Sequence, residues 1–229
     1  MLPHADLSTF SSSLGKKAVL FDLDGTLLDT IDDLWQSTNY ALHAHGFALR
    51  SRQEVLGFVG NGVAKLIERA VPEGTNTHDV QQTLATFRQH YMAHSMDNTR
   101  PYDGVMPLLQ ALQAVGCCTA VVSNKMDEAV GELCCHFFSP LIHVATGVSQ
   151  HCRPKPAPDM VLRALQELGI GAEDALYVGD SDVDIATARA AGMPCVSVSW
   201  GFRSRQFLID SGAEVIIDSP DELLQFVVG

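Results

Sequence analysis

The chain has 229 residues and a formal net charge of −12, from 15 Lys plus Arg against 27 Asp plus Glu. That balance excludes the basic stripe that displaces counterions from nucleic acid, and the polybasic segment of a membrane-surface protein. Apolar residues make up 46% of the chain, enough for one large core or two modest ones. An acidic protein that binds an anion must reverse its own field locally, with a metal, a lysine or backbone N–H groups.

Residues 1–15 lack the basic-then-apolar order of a signal peptide, and Ser11-Ser12-Ser13 reads as a loose leader. No run approaches the roughly 18 apolar residues of a membrane span. The six cysteines lack metal-site spacing. Cys117-Cys118 falls in a strand pattern and Cys134-Cys135 in a helical one, so neighbours point apart, while Cys152 and Cys195 are single. Reduced thiols in a cytoplasmic protein are expected.

The first strand is Ala18-Val19-Leu20-Phe21, and it runs into Asp22-Leu23-Asp24-Gly25-Thr26-Leu27. Residues 30–101 then carry helical spacing with no convincing strand. Thr30 and Asp33 form a capping-box pattern before Ile31, Leu34, Trp35, Thr38 and Leu42; Ser51 and Glu54 form another before Val55, Phe58 and Val59. Gly60-Asn61-Gly62 breaks the chain, Val63, Leu66, Ile67 and Ala70 resume up to Pro72, and Val80, Leu84, Phe87 and Tyr91 mark a longer helix.

Beyond the insertion, apolar runs at 119–122, 141–145, 175–178, 195–198 and 215–217 alternate with amphipathic helices. Those helices carry Leu108, Leu109 and Leu112; Ala129, Val130 and Leu133; Val161, Leu165 and Leu168. Gly116, Gly169 and Gly192 stand where C-caps belong. Continuous apolar strands between helices indicate an α/β fold with a doubly wound parallel sheet. Its core comprises residues 16–29 and 102–229, with an all-helical insertion at 30–101.

Ligands of such sheets bind beyond the carboxyl ends of the strands. Four strands end in polar groups: Asp22 with Asp24; Ser123-Asn124-Lys125; a loop with Arg153-Pro154-Lys155-Pro156; and Gly179-Asp180-Ser181-Asp182-Val183-Asp184. Clustered carboxylates need raised pKa values or a hard cation, and Mg²⁺ suits one or two carboxylates plus a phosphate oxygen. Lys155 and Ser123 supply a charge and a hydroxyl for phosphoryl oxygens, and Gly25 lets the backbone approach an anion. A carboxylate beside the metal can attack phosphorus, and a second acid two residues on can protonate the leaving group.

These four motifs, in this order, resemble the haloacid dehalogenase superfamily of phosphotransferases over nearly everything after Lys17, and the insertion resembles the helical cap of one subclass. The resemblance implies Asp22 as nucleophile and Asp24 as general acid/base. It implies Mg²⁺ on Asp22, the Asp24 carbonyl and Asp180, with Asp184 orienting the metal shell. Ser123 and Lys155 would grip phosphate, with Gly25, Thr26 and Asn124 beside the substrate. Asp24 argues against dehalogenation, since a halide needs no proton. Gly60-Asn61-Gly62-Val63 with Lys65-Leu66, and Ser199-Trp200-Gly201-Phe202, are similar to the phosphoglycolate phosphatase group. By that likeness Asn61 and Lys65 read the far end of a small phosphorylated metabolite, in a monomer or homodimer.

Sugar phosphates, nucleotides and pyrophosphate remain alternative substrates. A phosphonate hydrolase would use a cap lysine as a Schiff base, for which only Lys65 is available, and a phosphomutase would exclude water. A receiver-like phospho-switch shares the acids, hydroxyl and lysine, but the insertion and the Asp22/Asp24 spacing oppose it. A serine hydrolase lacks Gly-x-Ser-x-Gly. His90 and His94 have i,i+4 metal spacing without the accompanying Glu and read as solvated cap residues. Cap motion would hinge at Thr30 and around Arg100 to Tyr102.

Overall fold

The structure is a computed structural model that describes residues 16–150 and 152–227. The expected leader lies outside these residues. The sheet-forming strands are β1 (Ala18–Phe21), β4 (Cys118–Met126), β5 (Val144–Val148), β6 (Ala175–Gly179), β7 (Cys195–Val198) and β8 (Val215–Ile217). They pair in the order β5-β4-β1-β6-β7-β8, every pair parallel. The expected parallel sheet is therefore present. Alternation sends Val19, Phe21, Val121, Leu176 and Val178 into one apolar cluster and Ala18, Leu20, Ala120, Val122 and Tyr177 into another. Helices α5 (Val105–Ala114) and α6 (Asp127–Phe138) supply the first cluster; α7 (Asp159–Leu168) and α8 (Asp182–Ala190) contribute to the second. A short helix α9 (Arg205–Asp210) precedes β8.

Two strand expectations change. The third strand is Val144–Val148, not 141–145. Leu141 is a buried loop residue whose carbonyl accepts a bond from the Thr119 hydroxyl, and pairing starts only at Ala120↔Val144. The strand at 119–122 extends to Met126 and carries Ser123, Asn124 and Lys125 along its last part.

Between β1 and α5 lie α1 (Ile31–Ala44), α2 (Arg52–Phe58), α3 (Val63–Ala70) and α4 (Thr77–His94). They enclose their own apolar cluster, with Leu34, Leu42, Val55, Leu66, Ile67, Phe87 and Tyr91 buried. A two-stranded antiparallel ribbon, β2 (Leu28–Asp29) with β3 (Arg100–Pro101), closes this layer at its base. Hydropathy left both strands unmarked because a two-residue strand has no measurable period.

The Ser51–Glu54 capping box forms. The Thr30–Asp33 box does not: the Thr30 hydroxyl donates instead to Asp24 Oδ1 at 2.7 Å. Asp33, fully buried, accepts bonds from the backbone and side chains of Asn98 and Thr99 and so ties α1 to the approach to β3. His90 stacks between Tyr40 and His94, with Nδ1 on the Ser37 hydroxyl, and His94 bonds Asp97. All six cysteines are free, and Cys117 precedes β4 rather than lying within it. Among the described residues no helix is long and apolar enough to cross a membrane.

Candidate active site

Asp22 leaves β1 with its N–H on the Val178 carbonyl of β6, at 2.9 Å. The N–H groups of Thr26, Leu27 and Leu28 then all return to the Leu23 carbonyl, which curls the loop tightly. Gly25 sits at φ +84°, and a Cβ there would collide with the Asp180 carboxylate. Both the conformation and the approach of the two loops require glycine.

The loops converge on a buried acidic trio, Asp22, Asp180 and Asp184, whose oxygens lie within 4.8 Å of one another. Ser181 starts α8 with a capping box in which Asp184 receives the Ser181 N–H and hydroxyl at 3.1 and 2.5 Å. Thr26 Oγ1 and the Phe202 N–H hold the two oxygens of Asp180 at 3.3 and 2.7 Å. Buried carboxylates this close favour their neutral forms. Burial first, then Asp184, lifts Asp180 to about 7, and the Phe202 N–H opposes that rise. Burial lifts Asp22 well above its ordinary value; Lys155 works against this, while Asp184 and Asp180 reinforce it.

Lys155 Nζ lies 2.9 Å from Asp22 Oδ1, 2.8 Å from Asp184 Oδ1 and 3.2 Å from the Tyr177 hydroxyl. Burial disfavours its charge, but Asp184 and Asp22 outweigh that and raise its pKa. Asn124 fixes the lysine loop by accepting the Lys155 N–H at 2.7 Å and donating to its carbonyl at 3.1 Å. Asp22 Oδ1 also accepts the Leu23 N–H at 2.7 Å, and no described group bonds Asp22 Oδ2. Three converging buried carboxylates, one with an uncommitted oxygen, fit a hard divalent cation.

The general-acid candidate Asp24 stands apart from the trio. Its Oδ1 takes both the Thr30 hydroxyl at 2.7 Å and Lys125 Nζ at 3.0 Å. Lys125 is buried and also donates to the Tyr91 hydroxyl of α4 at 2.7 Å, with Nζ 4.6 Å from the ring centre. Burial opposes the Lys125 charge, and Asp24 and Tyr91 more than restore it. Sequence reasoning gave Lys125 no role. The signal was nonetheless present, since Lys125 stands two residues after Ser123 on one strand and so shares its face.

One pocket joins these parts. It is lined by Asp22, Asp24, Ser123, Asn124, Lys125 and Asp180 from strand ends, by Leu34, Val59, Gly60, Val63 and Leu66 from the helical layer, and by Phe202 and Arg203. Asn61 and Lys65 are not among its lining residues. Asn61 Oδ1 accepts a bond from Arg69, and Lys65 is exposed and paired with Glu68 at 2.7 Å. Gly25 and Thr26 likewise face Asp180 rather than the cavity. Arg203, unmarked by sequence reasoning, reaches from the core to the Leu56 and Val59 carbonyls of the helical layer at 3.0 and 2.5 Å. Trp200 Nε1 bonds the Thr26 carbonyl at 3.0 Å, so the 200–203 segment touches the Asp22–Leu28 loop, acidic trio and insertion together.

Residues 19–198 match the family of haloacid dehalogenase-like hydrolases. The chain belongs to that family. It is a phosphoglycolate phosphatase-like member: a phosphoglycolate phosphatase of Xylella fastidiosa is 34% identical over 210 residues, covering 87% of each chain. An N-acetylmuramic acid 6-phosphate phosphatase of Pseudomonas aeruginosa is 32% identical, covering 91% of this chain and 93% of the relative. A crystal structure from Lactobacillus delbrueckii subsp. bulgaricus, described as a candidate phosphoglycolate phosphatase, superposes with a TM-score of 0.90 at 34% identity, covering 94% of this chain and all of that one.

Proposed function

We propose that this hydrolase is a cytoplasmic, Mg²⁺-dependent phosphomonoesterase that cleaves phosphoglycolate through an aspartyl phosphate on Asp22. The observation that carries this reading is the pairing of two carboxylates in one pocket, each with its own buried lysine: Asp22 with Lys155 and Asp24 with Lys125. The first pair stands against the acidic trio, the second outside it, and so the two acids hold different jobs.

Asp22 Oδ2 attacks phosphorus, the ester P–O bond breaks, and Asp24 passes a proton to the departing alkoxide. Thr30 and Lys125 both engage Asp24 Oδ1, which leaves Oδ2 to carry that proton. Asp24 then takes a proton from water as it attacks the acyl phosphate, releasing phosphate and restoring the Asp22 carboxylate. Ser123 donates to the phosphoryl oxygens, and Lys155, whose three N–H donors rest on Asp22, Asp184 and the Tyr177 hydroxyl, releases Asp22 to join it when the ester binds. Asp22, Asp180 and the Asp24 carbonyl would hold Mg²⁺, with Asp184 behind them; the ion supplies positive charge to the phosphoryl oxygens.

Helices α1–α4 act as a cap that excludes water while Asp22 is phosphorylated and admits one molecule afterwards, hinged at Thr30 and the β3 segment. The protein works as a monomer or homodimer. The apolar wall of the pocket suits a short leaving group. Its curated relatives act on phosphoglycolate and on N-acetylmuramic acid 6-phosphate, both of which combine a phosphoester with a carboxylate.

Assay with Mg²⁺ on phosphoglycolate, sugar phosphates, nucleotides and pyrophosphate tests the reading. Phosphoglycolate should head the panel in kcat/KM, and Asp22→Asn should abolish every activity. Stoichiometric phosphorylation without turnover would instead indicate a signalling switch.

A further inference from the structure

The pocket needs a group that reads the leaving-group end of the substrate, and the cations of the site are not equally free to do so. Lys155 is committed to Asp22 and Asp184, and Lys125 to Asp24 and Tyr91. Lys65 is outside the pocket and paired with Glu68. Arg203 differs. It lines the pocket and makes no ion pair among the described residues, although its charge is near enough to Asp180 to oppose the rise in that carboxyl's pKa. Its hydrogen-bond partners are two neutral carbonyls, Leu56 and Val59, and its guanidinium lies 5.7 Å from the Phe207 ring centre.

A guanidinium keeps its charge at any physiological pH and carries five N–H donors in a planar fork. Two carbonyl bonds leave donors over and neutralise no charge. They do fix the fork in place, and two ends of the chain's fold contribute to that placement: the core segment that carries Arg203 and the carbonyls around the end of α2. The neighbouring wall, Leu34, Val59, Val63, Leu66 and Phe202, is apolar, and a charge-assisted bond is stronger beside such a wall.

We propose that Arg203 is a specificity-determining residue that binds a second anionic group, a carboxylate or a phosphate, on the leaving-group side of the substrate. The inference rests on the phosphomonoesterase reading above and names the substrate class of that site: phosphate esters that are anionic at both ends. It also reassigns the role that the sequence suggested for Lys65. Because the same side chain grips the main chain of the helical layer, an anion on Arg203 bridges core and cap, and neutral esters lack that bridge.

The test compares matched esters: phosphoglycolate against 2-hydroxyethyl phosphate, and fructose 1,6-bisphosphate against fructose 6-phosphate. Wild-type kcat/KM should favour the anionic member of at least one pair, the first pair identifying a carboxylate and the second a phosphate. Arg203→Gln should lower that preference by about 10- to 100-fold, and Arg203→Lys should keep part of it. A role confined to docking the helical layer lowers both members of a pair equally and leaves the ratio unchanged, and that result overturns the inference. So does a wild-type enzyme with no preference in either pair. If phosphoglycolate is a poor substrate but the bisphosphate preference collapses in Arg203→Gln, the Arg203 inference stands and the phosphoglycolate reading falls.

Discussion

The strand-end rim and the four-helix layer meet in one pocket but are built on opposite plans. The rim contributes charge: Asp22, Asp24, Asp180 and Lys125 line the cavity, with Lys155 and Asp184 locked behind them. The helical layer contributes Leu34, Val59, Gly60, Gly62, Val63 and Leu66, with no ionisable side chain among them. Polar bonds cross between the two, Lys125 to the Tyr91 hydroxyl, Asn124 to the Gly60 carbonyl, and Arg203 to the Leu56 and Val59 carbonyls, and Phe202 packs on the apolar cluster of the layer. A rim of paired charges is rigid because each group left alone is costly. The helical layer, attached through few bonds, is the part that the proposed cap motion would move.

The contrast predicts where substitutions hurt. Lys155→Met leaves Asp22 and Asp184 without their cation, and should cost about 3–5 kcal/mol in denaturant unfolding as well as nearly all turnover. Unchanged unfolding would mean that the rim is not held by its charge pairs. Lys125→Met should lower kcat about 10- to 100-fold by freeing Asp24. Tyr91→Phe, which removes only the contact to the helical layer, should cost less than tenfold. If the two variants behave alike, Lys125 serves the cap rather than the acid.

A third test concerns pH. The folded protein holds a proton on Asp180 up to about 7 that the unfolded chain releases near its ordinary value. Metal-free stability should therefore fall as pH rises through that interval, and a cation at the trio must displace the proton to bind. The rise in Tm on adding Mg²⁺ should be larger at about pH 8 than at about pH 6. Equal shifts at both would place the metal elsewhere. The smallest effect should come from the cap exterior: Lys65→Ala should change kcat/KM for phosphoglycolate by less than about twofold, since its exposed pair with Glu68 is worth little. A large loss would return Lys65 to the substrate.

The same contrast explains what could be read from the sequence. The rim was legible because chemistry of this kind needs particular residues at strand ends, and strand ends follow from continuous apolar runs. Asp22, Asp24, Ser123, Lys155, Asp180 and Asp184 all arrive where their strands direct them. The helical layer was legible only as helices. Its main contributions at the pocket are backbone carbonyls and apolar side chains; the family likeness of residues 60–66 marked the segment, and there Gly60, Gly62, Val63 and Leu66 line the cavity while Asn61 and Lys65 bond Arg69 and Glu68. Arg203 was hidden for a related reason, because its partners are main-chain atoms more than a hundred residues away. The Thr30–Asp33 pattern misled because both side chains found partners outside the helix, Asp24 and the Asn98-Thr99 segment, which outcompeted the local cap.

Turnover through Asp22 requires that its carboxylate be phosphorylated and the acyl phosphate then hydrolysed. Rapid acid quench of the enzyme turning over labelled phosphoglycolate with Mg²⁺, followed by peptide mapping, tests it most directly. An alkali-labile phosphate should appear on Asp22, turn over at the rate of product release and be absent in Asp22→Asn. Label on another residue, or undiminished turnover by Asp22→Asn, would contradict it.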